Sequence, residues 1–167
     1  MFSFCTSKFD VTPVNFMVAE RRLLVLSGLP LDKFEIKLIN VAKSHPTAAA
    51  SQTADPVYIR TIVCDYKPEK PVLLKIHGYG SGSAMFYKCI KDLTAHFTVI
   101  LLDLPGMAGS TRTSDYDFES MSAQDSIDYF VDYIEGWRRA MGNLTNLYVI
   151  GHSLGGYIVG NYALKYP

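Results

Sequence analysis

Leu147-Tyr148-Val149-Ile150-Gly151-His152-Ser153-Leu154-Gly155-Gly156 is the stretch whose reading decides the fold. An apolar run passes into Gly-x-Ser-x-Gly, and the residues from Gly156 to Ala163 read as helix. Strand, pentapeptide and helix in that order make a nucleophile elbow. On so tight a turn the Ser153 hydroxyl stands above the end of the sheet and the backbone is strained. A Cβ two residues before or after the serine would be crowded, which accounts for Gly151 and Gly155. Gly156 lets the helix approach the sheet closely. The Leu154 N–H shares the space of the hydroxyl and is placed to hold an oxyanion. A glycine-rich turn with an ordinary helix-capping serine would show the same five letters. The flanking strand and helix favour the catalytic reading.

Working outward, Pro71 to Ile76 reads as a buried strand that runs into His77-Gly78-Tyr79-Gly80. An oxyanion hole needs a second donor, from the loop after an earlier strand. The glycines Gly78 and Gly80 let the backbone fold under a substrate carbonyl, with the Tyr79 N–H as that donor. His77 is expected to bond the loop backbone rather than to titrate in catalysis. A third strand, Phe97 to Leu102, ends in Asp103-Leu104-Pro105-Gly106-Met107-Ala108-Gly109-Ser110.

At these three places the chain resembles the α/β-hydrolase superfamily, over roughly Val57 to Pro167. The family pattern after the third of these strands is Asp-x-x-Gly-x-Gly-x-Ser. Here Asp103, Gly106 and Ser110 are in register, Ala108 stands where the second glycine is expected, and Gly109 is expected to relieve the turn. The resemblance makes Asp103 and Ser110 loop-fixing groups. Phe130 to Gly142 and the closing Tyr162-Ala163-Leu164-Lys165-Tyr166-Pro167 are similar to the abhydrolase-domain lipid branch, that of N-acyl-phospholipid lipases and lipid-droplet lipase coactivators. Some of that branch carry Asn at the nucleophile position, whereas this chain carries Ser153. The resemblance implies a serine hydrolase acting on acyl esters of lipids, with peripheral contact to a membrane or lipid-droplet surface; the odd, widely spaced Cys5, Cys64 and Cys89 read as reduced thiols and so suggest a cytoplasmic or membrane-facing location. The alternative is a catalytically silent hydrolase-like protein that binds lipid or a lipase, or a non-functional fragment. No cofactor and no metal is implied.

The expected fold class is α/β: the N-terminal part of an α/β-hydrolase fold, a mostly parallel sheet flanked by helices. Residues 1–56 read as an N-terminal extension with the first edge strand, and 57–167 as the hydrolase core, truncated after the nucleophile helix. Phe34 to Val41 and Val57 to Val63 alternate apolar and polar, as half-buried strands of an antiparallel edge hairpin do. Residues 21–30 read as a short helix or a strand, and Ser44 to Pro56 as a mobile loop. Met85 to Phe97 reads as a helix. Ile127, Phe130, Val131, Ile134, Trp137 and Met141 make one apolar helix face, expected against the sheet. Arg138 and Arg139 read as a solvated pair, and the scattered Phe2, Phe4, Phe9, Phe16 and Met17 as packing residues.

The composition is that of a globular chain, 49% hydrophobic and 19% charged. Its 16 basic and 16 acidic residues cancel, so no footprint for nucleic acid is present. Cys5, Cys64 and Cys89 are too few and too scattered for a disulfide framework. No secretory signal is evident near Met1, and the aliphatic runs are too short to span a bilayer.

A serine needs a base, normally a histidine held by a carboxylate and placed after it in this fold. Leu154 to Pro167 contains no Asp, Glu or His. His152 is adjacent to Ser153 and expected to point away from it, and His45 and His96 precede the elbow without being placed as base. The triad acid and histidine, the lid and the later strands are therefore expected outside this chain, with the elbow strand left as a sheet edge.

Overall fold

The computed structural model describes residues 13–41, 56–113 and 119–167. Phe2, Phe4, Phe9, Cys5, His45 and the loop over 44–55 lie outside the described residues.

Apolar and β-branched runs build five strands: β1 Phe34–Asn40, β2 Tyr58–Cys64, β3 Val72–Ile76, β4 Thr98–Leu102 and β5 Leu147–Gly151. They form one sheet in the order β1-β2-β4-β3-β5. β2 is antiparallel to both of its neighbours, while β4, β3 and β5 are parallel to one another. Only β2 runs against the others, so the sheet is mostly parallel. Among the described residues β5 has a partner on one side only and forms an edge.

Helices cover both faces. α1 (Pro13–Val25) and α2 (Tyr87–Thr94) pack against a cluster that includes Leu24, Ile62, Leu73, Ile90, Val99 and Leu101. α3 (Ala123–Ala140) and α4 (Leu154–Lys165) cover the opposite face with Leu74, Ile76, Ile100, Ile134, Trp137 and Ile158. Odd and even residues of β3 and β4 thus point to different layers, as the pleat requires. Ile76 pairs with both Leu102 and Gly151. The three parallel strands therefore end level, and the loops after them leave the sheet at one edge.

Of the two readings of residues 21–30 the helix holds: residues 21–25 are the last turns of α1, which begins at Pro13, and the chain turns at Gly28 with φ 81°. Other expectations are corrected. The helix expected over Met85 to Phe97 is a 3-10 turn, Ser83–Phe86, followed by the shorter α2. β2 is not half-buried. Ile59 through Cys64 are all buried, because the strand lies between β1 and β4 under both helix layers. Its polar residues find partners there. Thr61 Oγ1 accepts from Trp137 Nε1 at 2.8 Å, and the Arg60 guanidinium pairs with Glu20 of α1.

The apolar face of α3 does meet the sheet, with Trp137 fully buried. Its start is fixed by a capping box in which Ser122 and Asp125 exchange hydrogen bonds. The Ser122 bonds hold the Asp125 carboxyl below its ordinary pKa. Every residue from Tyr129 to Trp137 is buried, since α4 packs on the other flank. Arg138 and Arg139 are not a merely solvated pair. Arg138 donates to both Glu135 oxygens at 2.8 Å and to the Leu144 carbonyl, and Arg139 donates to Glu135 at 2.7 Å. Tyr162 of α4 donates to the same carboxylate at 2.9 Å. Arg138 foremost, with Arg139 and Tyr162, outweighs burial and holds the Glu135 carboxyl down at about 2.

Candidate active site

β5 turns into α4 at Ser153, which adopts φ 54° and ψ −122°. A non-glycine residue held there costs about 1–3 kcal/mol and persists only where its surroundings dictate it. The surroundings are the glycines. A Cβ on Gly151 would strike the Gly155 carbonyl, and a Cβ on Gly155 would lie 2.5 Å from the carbonyl oxygens of Ile76 and His77. Gly156 approaches the Gly151 carbonyl to 3.3 Å at its Cβ position. Ser153 does not cap the helix with its side chain, so the hydroxyl is spare.

The loop after β3 lies against this turn. A Cβ on Gly78 would come 3.0 Å from Ser153 Cβ and 3.2 Å from the His152 carbonyl oxygen. Gly80 sits at φ 64° in open space, a position that needs glycine for its torsion alone. Among the described residues neither the Tyr79 N–H nor the Leu154 N–H is used in a hydrogen bond. The structure thus brings Ser153, Leu154, Tyr79 and the glycines Gly78, Gly80, Gly151, Gly155 and Gly156 to one corner.

The histidines are arranged differently. His77 is buried, its Nδ1 bonds the Gly78 carbonyl at 2.7 Å, and its Nε2 accepts from the Leu104 N–H at 2.9 Å. Both ring nitrogens are taken, which assigns a neutral ring protonated on Nδ1. It ties the loop after β3 to the loop after β4. His152 is exposed and makes no hydrogen bond through its ring among the described residues.

In the loop after β4, Asp103 accepts from the Ser83 N–H at 2.8 Å and the Gly109 N–H at 3.0 Å. The Ser110 hydroxyl donates to the Asp103 carbonyl at 2.7 Å and accepts from the Arg60 N–H at 2.9 Å. Both are loop-fixing groups. The turn is not relieved by Gly109. Ala108 itself takes the left-handed position, φ 45°. Gly109 is needed for a different reason, because its Cβ would overlap the Arg60 side chain.

Between these loops, α1 and α3 lies a cleft of about 1330 Å³. Phe16, Leu23, Met85, Met107, Ile127 and Phe130 give it apolar walls, and Tyr79 and Leu154 stand beside them. The wall made by α1 is held by the Glu20–Arg60 pair, with both side chains buried and the guanidinium 5.5 Å from the Phe16 ring centroid. A charged residue on an alternating strand normally faces water, so no sequence signal marked this pair.

Among the described residues no cluster of three or more His, Cys, Asp or Glu is arranged to hold a metal. Cys64 is a free buried thiol pushed up to about 12 by burial, with Asp65 adding to it. No described helix is long and apolar enough to cross a membrane.

The family model of the α/β-hydrolase fold matches residues 71–167. The 1-acylglycerol-3-phosphate O-acyltransferase of Arabidopsis thaliana is 34% identical over 161 residues, which cover 93% of this chain and 37% of that protein. The (lyso)-N-acylphosphatidylethanolamine lipase of Homo sapiens is 33% identical over 99 residues, covering 59% of this chain and 28% of the lipase. The crystal structure of carboxylesterase CesB from Bacillus subtilis superposes with a TM-score of 0.66 at 20% identity, covering 92% of this chain and 45% of that one. The last likeness is one of fold. The chain spans little more than a third of the length of the plant relative.

Proposed function

Because this chain belongs to the α/β-hydrolase fold family, we propose that it carries the nucleophile-bearing part of a serine enzyme that cleaves or transfers acyl groups of lipid esters. The observation that carries the reading is Ser153. It is held at a strained torsion, and among the described residues its hydroxyl and two backbone N–H groups on the neighbouring turns have no hydrogen-bond partner. In this reading Ser153 Oγ attacks the acyl carbonyl carbon and its proton passes to a base. The carbonyl oxygen takes up negative charge facing the Leu154 and Tyr79 N–H groups. Collapse expels the alcohol, which takes the proton back, and leaves an acyl-serine. Water or a second lipid hydroxyl then accepts the acyl group. Lipase and acyltransferase differ only in that last acceptor.

His77 is not the base, since both of its ring nitrogens are engaged. The base and its carboxylate belong, in this proposal, to sequence beyond the described residues. The lipid assignment rests on the apolar cleft and on relatives named for acylglycerol phosphate and N-acylphosphatidylethanolamine. Peripheral contact with a membrane or lipid-droplet surface belongs to the same reading. Met17, Val25 and Leu26 are exposed beside Arg21 and Arg22 on and just after α1. A silent binding protein is disfavoured, because a strained serine with a spare hydroxyl has no use in a mere scaffold.

In the full natural protein, Ser153→Ala lowers acyl turnover by about 10⁴-fold or more and leaves the melting temperature near that of the parent. A serine-reactive phosphonate labels the parent and not the variant. Turnover that survives the substitution overturns the assignment of Ser153.

A further inference from the structure

The charged side chains that line the cleft, among the described residues, are Glu20, Asp103 and Arg112. Two of them are committed to the fold. Glu20 is paired with Arg60, and each Asp103 carboxylate oxygen accepts a backbone N–H, from Ser83 and from Gly109. Arg112 is exposed in the cleft and has no ion pair or hydrogen bond among the described residues. Its backbone is nevertheless fixed on both sides. The Thr111 N–H donates to the Tyr58 carbonyl at 2.9 Å, its hydroxyl accepts from the Tyr58 N–H at 3.0 Å, and its carbonyl accepts from the Gly106 N–H at 2.9 Å. On the other side the Thr113 hydroxyl bonds the Tyr129 hydroxyl. A pinned backbone thus presents a guanidinium that no other described residue engages.

A second polar group in the same cleft is unfinished. Ser83 is 1% exposed and its hydroxyl has no hydrogen-bond partner among the described residues. A buried hydroxyl without a partner is costly and calls for an explanation. A cleft with apolar walls that holds, among the described residues, one uncommitted cation and one uncommitted hydroxyl suits an apolar ligand that carries an anionic head.

We infer that Arg112 recognises the phosphate ester headgroup of an acyl lipid whose chain lies along the apolar wall. This rests on the reading that the cleft takes lipid acyl esters. A guanidinium presents a planar fork that fits two phosphate oxygens at once, which a lysine ammonium does not. Apolar walls cannot compensate a phosphate for lost water, so the cation sets the preference between phosphorylated and uncharged lipids. The Ser83 hydroxyl supplies a further contact for a polar group of the same ligand.

The test is equilibrium binding to the full natural protein in the Ser153→Ala background, so that turnover plays no part. The probes are a 1-acylglycerol-3-phosphate, the uncharged monoacylglycerol of the same chain length, and glycerol 3-phosphate. Arg112→Ala is expected to reduce the preference for the phosphorylated over the uncharged lipid by about tenfold to a hundredfold. Arg112→Lys restores it in part. An unchanged preference, or equal weakening of both lipids, overturns the inference. Glycerol 3-phosphate that binds as tightly as the phospholipid, and as dependently on Arg112, overturns the lipid assignment in favour of a soluble phosphate ester. Because binding is read without catalysis, Arg112-dependent binding combined with failed phosphonate labelling would sink the serine reading and leave this one standing.

Discussion

The elbow at 151–155 and the loop at 103–110 are both sharp turns at one edge of the sheet, and they meet that demand by different means. At the elbow the glycines are required by contact, since a Cβ at Gly151 or Gly155 would run into backbone carbonyls that cannot move. The strained torsion falls on Ser153, whose side chain does not cap the helix that follows. In the loop after β4 the constraint is mostly torsional. Ala108 accepts φ 45° where a glycine would be at ease, and a network from Asp103 and Ser110 holds the turn in place. A clash with backbone cannot be bargained down, whereas a disfavoured torsion costs roughly 1–2 kcal/mol and can be offset by two or three hydrogen bonds. That is why the family pattern is intact at one turn and broken at the other.

The largest expected effect comes from putting a methyl where backbone already lies. Gly155→Ala loses more than about 4 kcal/mol of stability or fails to accumulate folded protein, read by denaturant unfolding. A loss below about 1 kcal/mol would mean that the elbow can shift, and the contrast with the other turn would fail. The loop after β4 leans on Arg60, which packs against Gly109 and pairs with Glu20. Arg60→Met leaves the Glu20 carboxylate buried without its partner and costs about 3 kcal/mol. Replacing both, Glu20→Gln with Arg60→Met, recovers part of that loss.

Away from the turn, α4 meets α3 through polar groups as well as the apolar core, since Tyr162 donates to Glu135 and Lys165 pairs with Asp128 and Asp132. The Glu135 carboxyl is held at about 2, below its ordinary 4.5, by Arg138 first and by Arg139 and Tyr162. A depressed carboxyl contributes stability that is present above its unfolded pKa and is lost as pH falls through the folded one. The protein therefore loses roughly 2–3 kcal/mol from this group between about pH 4.5 and 2. Glu135→Gln flattens that part of the profile, measured as the urea midpoint against pH. An unchanged slope would show that the helix layer, like the elbow, is held by shape alone. The smallest effect is a gain. Ala108→Gly relieves the left-handed alanine and adds about 0.5–1 kcal/mol, a shift of a degree or more in the melting temperature. A loss on this substitution would mean that the alanine methyl, packed close to Gly82, matters more than its torsion.

Much of the fold could be read from the order of residues. The parallel strands are continuous apolar runs, the helix face of α3 repeats at helical spacing, and the elbow glycines stand at fixed offsets from Ser153. These are local signals, each carried by a few neighbouring residues. What could not be read involves partners far apart in the chain. Arg60 looks like the wet side of an edge strand and is buried against Glu20, 40 positions away. Arg138 looks like a surface cation and is folded onto Glu135, which also takes a hydrogen bond from Tyr162, 27 positions later. Arg112 carries no motif, and its interest arises only when the two acids that line the same cleft, Glu20 and Asp103, are seen to be occupied.

The sequence by itself determined where the nucleophile turn lies, which residues there must be glycine, and that the core is a mostly parallel sheet between helices. Short-range sterics and the pleat decide those matters, and both act within a few residues. Only the tertiary structure decided that β2 is buried on both faces, that Ala108 rather than a glycine bears the left-handed torsion, and that one cation facing the cleft is left without a partner among the described residues. Each of these depends on which distant groups satisfy which charge or carbonyl, and burial makes that pairing obligatory.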